Sequence, residues 1–153
     1  MSTIETRLNE LGIALPDAPA PAANYVPFVV TGNQVWVSGQ ISQGPEGLMT
    51  GKLGDDADVA RGAAAAHACA ISLLAQLKKA CDGDLDRLVR VVKLVGMVNC
   101  TPDFTDQPKV INGASDFLVA ALGDKGRHAR SAVGVARLPM GVMVEIEAVF
   151  EIA

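Results

Sequence analysis

Polar and apolar positions change period several times along this chain, and each change marks an element. Ile4, Leu8 and Leu11 recur at helical spacing, Ser2 and Glu5 stand as in a capping box, and Gly12 suits a C-terminal stop. That pattern predicts a short first helix. Pro16, Pro19, Pro21 and Pro27 make residues 16–27 an extended connector. The apolar runs Val26–Val30 and Val35–Val37 flank Thr31-Gly32-Asn33-Gln34, which predicts a β-hairpin turning at Gly32-Asn33 and ending at Ser38-Gly39-Gln40. A glycine-rich loop with Gly44, Gly47, Gly51 and Gly54 follows.

Across residues 57–80, Val59, Ala63, Ala66, Ala70, Leu73, Leu74 and Leu77 line one face of a long helix, stopped by Asp82-Gly83-Asp84. Leu88–Val98 is almost continuously apolar and β-branched. It reads as a central strand covered on both faces or placed at a subunit interface. Thr101-Pro102-Asp103 opens a second long helix, Phe104 to Leu122, which Gly123 ends. Ala129–Ala136 and Val142–Ile152 read as a closing hairpin joined through Arg137–Gly141. In its last strand Val142, Val144, Ile146, Ala148, Phe150 and Ile152 alternate with Met143, Glu145, Glu147, Val149 and Glu151. The order helix, hairpin, helix, strand, helix, hairpin predicts an α+β fold with helices on one sheet face, and a helix between strands suggests a βαβ crossover. No repeat or composition break divides residues 1–153, so we expect a single domain.

Composition narrows the function. Half of the 153 residues are hydrophobic and 20% are charged, which excludes disorder. Aromatics make up only 4%, so the core is built from Ala, Val, Leu and Ile. A net charge of -4 argues against a nucleic-acid partner. No apolar run approaches the roughly 18 residues of a membrane span, and the polar start lacks signal-peptide order, so we expect a cytoplasmic protein with no membrane partner. Cys69, Cys81 and Cys100 have no CxxC spacing, and His67 and His128 form no metal-ligand pair, so no disulfide framework and no metal are expected.

The chemistry concentrates in Arg127–Pro139. Arg130 stands in a strand whose same-face neighbours are Ala132, Gly134 and Ala136, leaving open volume beside a guanidinium. That suits a small anion, because guanidinium binds carboxylate through two parallel hydrogen bonds. The competing reading pairs Arg130 with Glu145 or Glu147 in the next strand, and the hairpin register decides between them. Glu145 could carry a proton or hold a water in a dry pocket, or face solvent. Tyr25 offers a hydroxyl, Asn112 lies on the second long helix, and Ser38 and Gly39 end a strand where backbone N–H groups are free for an anion. His128, near Arg130, is the histidine with a functional case. No GxSxG, P-loop or GxGxxG occurs.

Several motifs in order resemble the RidA (YjgF) family, also labelled the endoribonuclease L-PSP family, over roughly residues 23–152. They are Val37-Ser38-Gly39-Gln40-Ile41, Asp103-Phe104, Val110-Ile111-Asn112, Ala129-Arg130-Ser131, Val135-Ala136-Arg137-Leu138-Pro139 and Val144-Glu145-Ile146-Glu147-Ala148. The first 22 residues and Phe104–Lys109 resemble a longer YjgF-like subgroup. The resemblance implies a chorismate-mutase-like (bacillary) fold, a mixed β-sheet with two long helices on one face, closing into a trimeric barrel with clefts between subunits. It implies hydrolytic deamination of reactive 2-imino acids and their enamine tautomers to 2-keto acids and ammonia, without a cofactor. Arg130 then clamps the carboxylate, Glu145 positions water, and Tyr25, Ser38, Gly39, Asn112 and the Ala132 N–H shape the cleft. Ala132 stands where many relatives carry cysteine, Gly134 where a larger polar residue is common, and His128 where proline is usual. These departures keep alive a trimeric small-carboxylate-binding or regulatory protein without turnover. A ribonuclease, which the older label suggests, ranks last.

Overall fold

A computed structural model describes residues 2–21 and 23–153. Ala22, inside the expected connector, lies outside them. Helix α1 spans Thr3–Glu10 and opens with the capping box: Glu5 N–H donates to Ser2 Oγ at 3.1 Å and Ser2 N–H to Glu5 Oε2 at 3.2 Å. Strands β1 (Phe28–Thr31) and β2 (Gln34–Ile41) form the expected hairpin, with Thr31 opposite Gln34 and Gly32 at φ 57° in the turn. The glycine-rich loop carries a small ribbon, β3 (Gln43–Gly44) with β4 (Gly47–Leu48). Helix α2 runs Val59–Ala80, strand β5 Leu88–Asn99, helix α3 Gln107–Leu122, strand β6 Ala129–Val135 and strand β7 Val144–Ile152.

The sequence pattern needs four corrections. Strand β2 does not end at Ser38-Gly39-Gln40 but continues to Ile41 through a bulge. Val37 pairs with Ala148 and Gln40 with Ile146, so Ser38 and Gly39 together face the single residue between. Helix α3 begins at Gln107 rather than Phe104, because Pro108 has no N–H and is tolerated only in a first turn. The third correction governs the site. β6 and β7 are not a hairpin. The main sheet has the order β1-β2-β7-β5-β6, with β7 antiparallel to both β2 and β5 and β6 parallel to β5. Strand β7 takes the middle because its apolar side, Val144 to Ile152, is buried along its whole length. Strand β5 is interior but not central. One side of it is covered, while Val89 is 40% exposed and Val92, Lys93, Val95 and Met97 are only half-buried.

Helices α2 and α3 cover one sheet face. Ala65, Ala66, Cys69, Ala70, Leu73, Leu74 and Leu77 of α2 and Val110, Ile111, Ala114 and Leu118 of α3 pack onto Val91, Leu94, Val98, Ile146 and Phe150. The two helices approach closely because Gly113 has no side chain: a Cβ there would overlap the Ala63 carbonyl. Gly96 of β5 likewise makes room for Ile111, whose Cδ1 would lie 2.6 Å from a Cβ. The opposite face carries Val29, Trp36, Val95, Val133 and Val149, of which Val29 and Trp36 are about half exposed. Among the described residues, no helix is long and apolar enough to cross a membrane.

Candidate active site

Sheet register separates the two charged candidates. Arg130 lies beside Leu94, which is level with Ala148 on the helix-covered face. Glu145 is level with Met97 and Ile41 on the open face, between the buried Val144 and Ile146. Strand β5 stands between them. Intrachain pairing of Arg130 with Glu145 or Glu147 is therefore not what the fold builds, and no carboxylate lies within ion-pair distance of Arg130 among the described residues.

Arg130 is held by neutral acceptors on α3. Its Nη1 donates to Ser115 Oγ at 3.0 Å and its Nη2 to the Pro108 carbonyl at 3.2 Å. Pro108 and Ser115 are seven residues apart, two turns along one stripe of α3. Exposed Asn112 falls between them on that stripe. His128 joins the group: Nε2 lies 2.9 Å from Ser115 Oγ and Nδ1 2.6 Å from the Gly126 carbonyl. Ala132, half-buried, follows on the same face of the edge strand. The volume expected at Gly134 is partly filled, since a Cβ there would lie 2.6 Å from Cys100 Sγ and 2.9 Å from Gln107 Nε2.

Glu145 belongs to a second group. It lines a cavity of about 450 Å³ with Pro19, Tyr25, Gly39, Leu48 and Met140 among others. Gly39 lets the carboxylate lie here, because a Cβ would stand 2.6 Å from Glu145 Oε2 and push the side chain aside. The bulge thus lets the carboxylate fold across the backbone. Burial, and then the charge of Glu147, push the Glu145 carboxyl above its ordinary value. Met140, on the cavity rim, is held at φ 56°, a left-handed conformation costing a non-glycine residue about 1–2 kcal/mol. Tyr25, 47% exposed, opens onto the same cavity. Ser38 does not offer its groups to an anion as expected. Its N–H donates to the Pro27 carbonyl at 2.9 Å and its Oγ to the Val26 carbonyl at 2.8 Å, tying the connector to the bulge.

The eight sequence candidates therefore form two clusters. Tyr25, Ser38, Gly39 and Glu145 gather at the β2 bulge, and Asn112, His128, Arg130 and Ala132 gather where α3 meets β6. Sequence reasoning missed Ser115, whose signal was its spacing on the Pro108–Asn112 stripe. It also missed Pro19 and Met140, which only the folded loops bring to Glu145.

An α+β sheet layered on two helices, with Arg130 on its edge strand and Glu145 at the β2 bulge on its open face, defines the class. Residues 5–151 match the family described as "YjgF/chorismate mutase-like, putative endoribonuclease", and the chain belongs to this RidA (YjgF) family. It is 50% identical over 151 residues to Protein TCP17 of Trypanosoma cruzi, covering 97% of this chain and 94% of that protein. The crystal structure of Atu1372, of unknown function, from Agrobacterium tumefaciens is similar with a TM-score of 0.91 at 50% identity, covering 98% of this chain and 92% of that one. At 29% identity over 139 residues, the chain is also similar to the 2-iminobutanoate/2-iminopropanoate deaminase of Dermatophagoides farinae, covering 90% of this chain and 92% of that protein.

Proposed function

We propose that this protein hydrolyses small 2-imino acids and their enamine tautomers to 2-keto acids and ammonia, in clefts between the subunits of a homotrimer. The observation that carries this reading is the state of Arg130, a half-buried guanidinium held by two neutral acceptors and by no carboxylate. Among the described residues two of its five N–H donors are engaged, which leaves the charge and three donors for a substrate carboxylate. Glu145 is its complement, with no hydrogen-bond donor among the described residues and a carboxylate that burial makes a stronger proton acceptor than an ordinary glutamate.

The two groups meet only if one subunit supplies the α3–β6 edge and a neighbour the β2 bulge. The half-exposed apolar residues of the open sheet face, Val29, Trp36 and Val133, support such a neighbour. In the cleft, Arg130 fixes the carboxylate and Glu145 takes a proton from a water as its oxygen bonds to the imine carbon. The C=N electron pair moves to nitrogen, which takes that proton from Glu145. The carbinolamine hydroxyl then passes its proton through Glu145 to the amino nitrogen, the C–N bond breaks as the C=O bond forms, and ammonia leaves a keto acid. An imine is already electrophilic, so positioning and one proton relay suffice.

One observation favours a second reading, a carboxylate-binding protein without turnover: the clamp is complete inside one subunit while Glu145 stands on the other face. A coupled assay separates the two. An amino-acid oxidase or a threonine dehydratase generates the imine, and semicarbazide competes for it. Wild type is expected to suppress semicarbazide adduct and Arg130→Ala to lose about 100-fold of that activity. Adduct formation indifferent to wild type, with saturable 2-oxobutanoate binding, replaces the hydrolase reading with the binding one.

A further inference from the structure

We propose that Ser115 and His128 are positioning residues that aim the Arg130 guanidinium, through a hydrogen-bond chain running from the Gly126 carbonyl to the clamp. The inference rests on the reading of Arg130 as a carboxylate clamp and adds what sets its direction.

The direction of each hydrogen bond follows from what the groups can do. A carbonyl oxygen only accepts, so His128 Nδ1, 2.6 Å from Gly126 O, carries the ring proton. In the neutral ring Nε2 is then an acceptor. Ser115 Oγ, 2.9 Å away, must donate its single proton to it. That leaves the Ser115 lone pairs for Arg130 Nη1 at 3.0 Å. Without the histidine, a mid-helix serine turns its hydroxyl onto the carbonyl four residues back, here Ile111, and its lone pairs leave the guanidinium. His128 thus keeps Ser115 off the helix backbone. With Pro108 O on Nη2 at 3.2 Å, Ser115 provides the second of two points that fix the guanidinium plane. One point would leave the group free to swing.

Side-chain placement explains why this works here. His128 precedes β6 and stands two residues past the end of the 3₁₀ turn Gly123–Gly126, so its ring folds back to the turn's last carbonyl. Ser115 is one turn beyond Asn112 on α3, facing that ring and Arg130 together.

The test uses the full chain and 2-oxobutanoate as probe, read by calorimetric titration and by imine hydrolysis. Ser115→Ala and His128→Phe are each expected to weaken 2-oxobutanoate about tenfold and to raise KM alike, with kcat nearly unchanged, because an oriented charge-assisted bond is lost. Ser115→Thr keeps the hydroxyl and is expected to bind as wild type does. The double variant Ser115→Ala/His128→Phe is expected to be no weaker than Ser115→Ala, because both act along one chain of bonds. Nitrogen shifts of the His128 ring are expected to show the Nδ1–H tautomer in wild type. Thermal midpoints taken alongside identify a variant that has unfolded, and Ser115→Thr then carries the comparison. Binding unchanged in Ser115→Ala while Arg130→Ala loses it overturns this inference alone. Binding unchanged in Arg130→Ala overturns the clamp and the inference with it. Losses that multiply in the double variant also overturn it.

Discussion

Arg130 and Glu145 sit on opposite faces of one sheet, and their surroundings differ in kind. The arginine is anchored at two points by α3 and, among the described residues, pairs with no acid. The glutamate has no hydrogen-bond partner among the described residues and lies over a glycine bulge that leaves it room. A cation that must hold a carboxylate gains from fixed geometry, since every donor aimed in advance saves ordering later. A carboxylate that must take and return a proton gains instead from poor solvation and weak pairing, which bring its two protonation states closer in energy. The helix-covered face provides the first environment and the open face the second.

Removing the glutamate of this pair has the largest expected effect. Glu145→Gln is expected to lower kcat for imine hydrolysis by about 10²–10⁴ while 2-oxobutanoate affinity stays near wild type. Mixing Arg130→Ala with Glu145→Gln subunits sharpens the comparison. Clefts built from the intact arginine of one variant and the intact glutamate of the other return in roughly a quarter of random trimer interfaces. Recovered turnover in the mixture supports shared clefts, and none at all places both groups in one chain's site.

A smaller effect comes from disturbing the anchored half through its helix. Gly113→Ala puts a methyl against the Ala63 carbonyl and drives α3 away from α2. The expected cost is about 1–3 kcal/mol, a fall in Tm of roughly 5 °C. Carboxylate affinity should weaken with it, because Pro108 and Ser115 ride on α3. A Tm change with unaltered affinity would show that the clamp does not depend on that packing.

The smallest effect is on stability against pH. Glu145 is a carboxyl raised in the folded state, so the folded protein holds its proton more tightly than the unfolded chain does. The penalty is full above the folded value and absent below the ordinary glutamate value. Stability is therefore expected to fall as pH rises through that interval. Glu145→Gln removes the slope: it is expected to be the more stable protein at pH 7 and equal to wild type below about pH 4. Added salt is expected to reduce the part due to Glu147. Thermal unfolding across pH measures both.

Much of the fold was legible because its signals are local. The capping box of Ser2 and Glu5, the Gly32-Asn33 turn, the apolar face of α2 and the alternation of β7 each depend on residues a few positions apart. Arg130 and Glu145 stood out for the same reason, as charges in strands of small or apolar neighbours. The start of α3 was misplaced by three residues because Pro102 and Pro108 both fit a helix opening, and only the turn at Phe104 distinguishes them. The expected hairpin of β6 and β7 failed because two strands joined by a short link usually pair. Here the continuous apolar side of β7 is worth more in the middle of the sheet, between β2 and β5.

The amino-acid sequence by itself determined most elements, the α+β class and the two charged residues of the candidate site, since period, caps and turn residues act over single turns and single strands. Tertiary structure decided which face each charge occupies, that Ser38 and Gly39 form a bulge beneath Glu145, and that His128, Ser115 and Arg130 form one chain of hydrogen bonds. Those facts depend on strand order and helix placement. Both follow from which apolar surfaces cover one another across the whole molecule, a sum that no short stretch of residues contains.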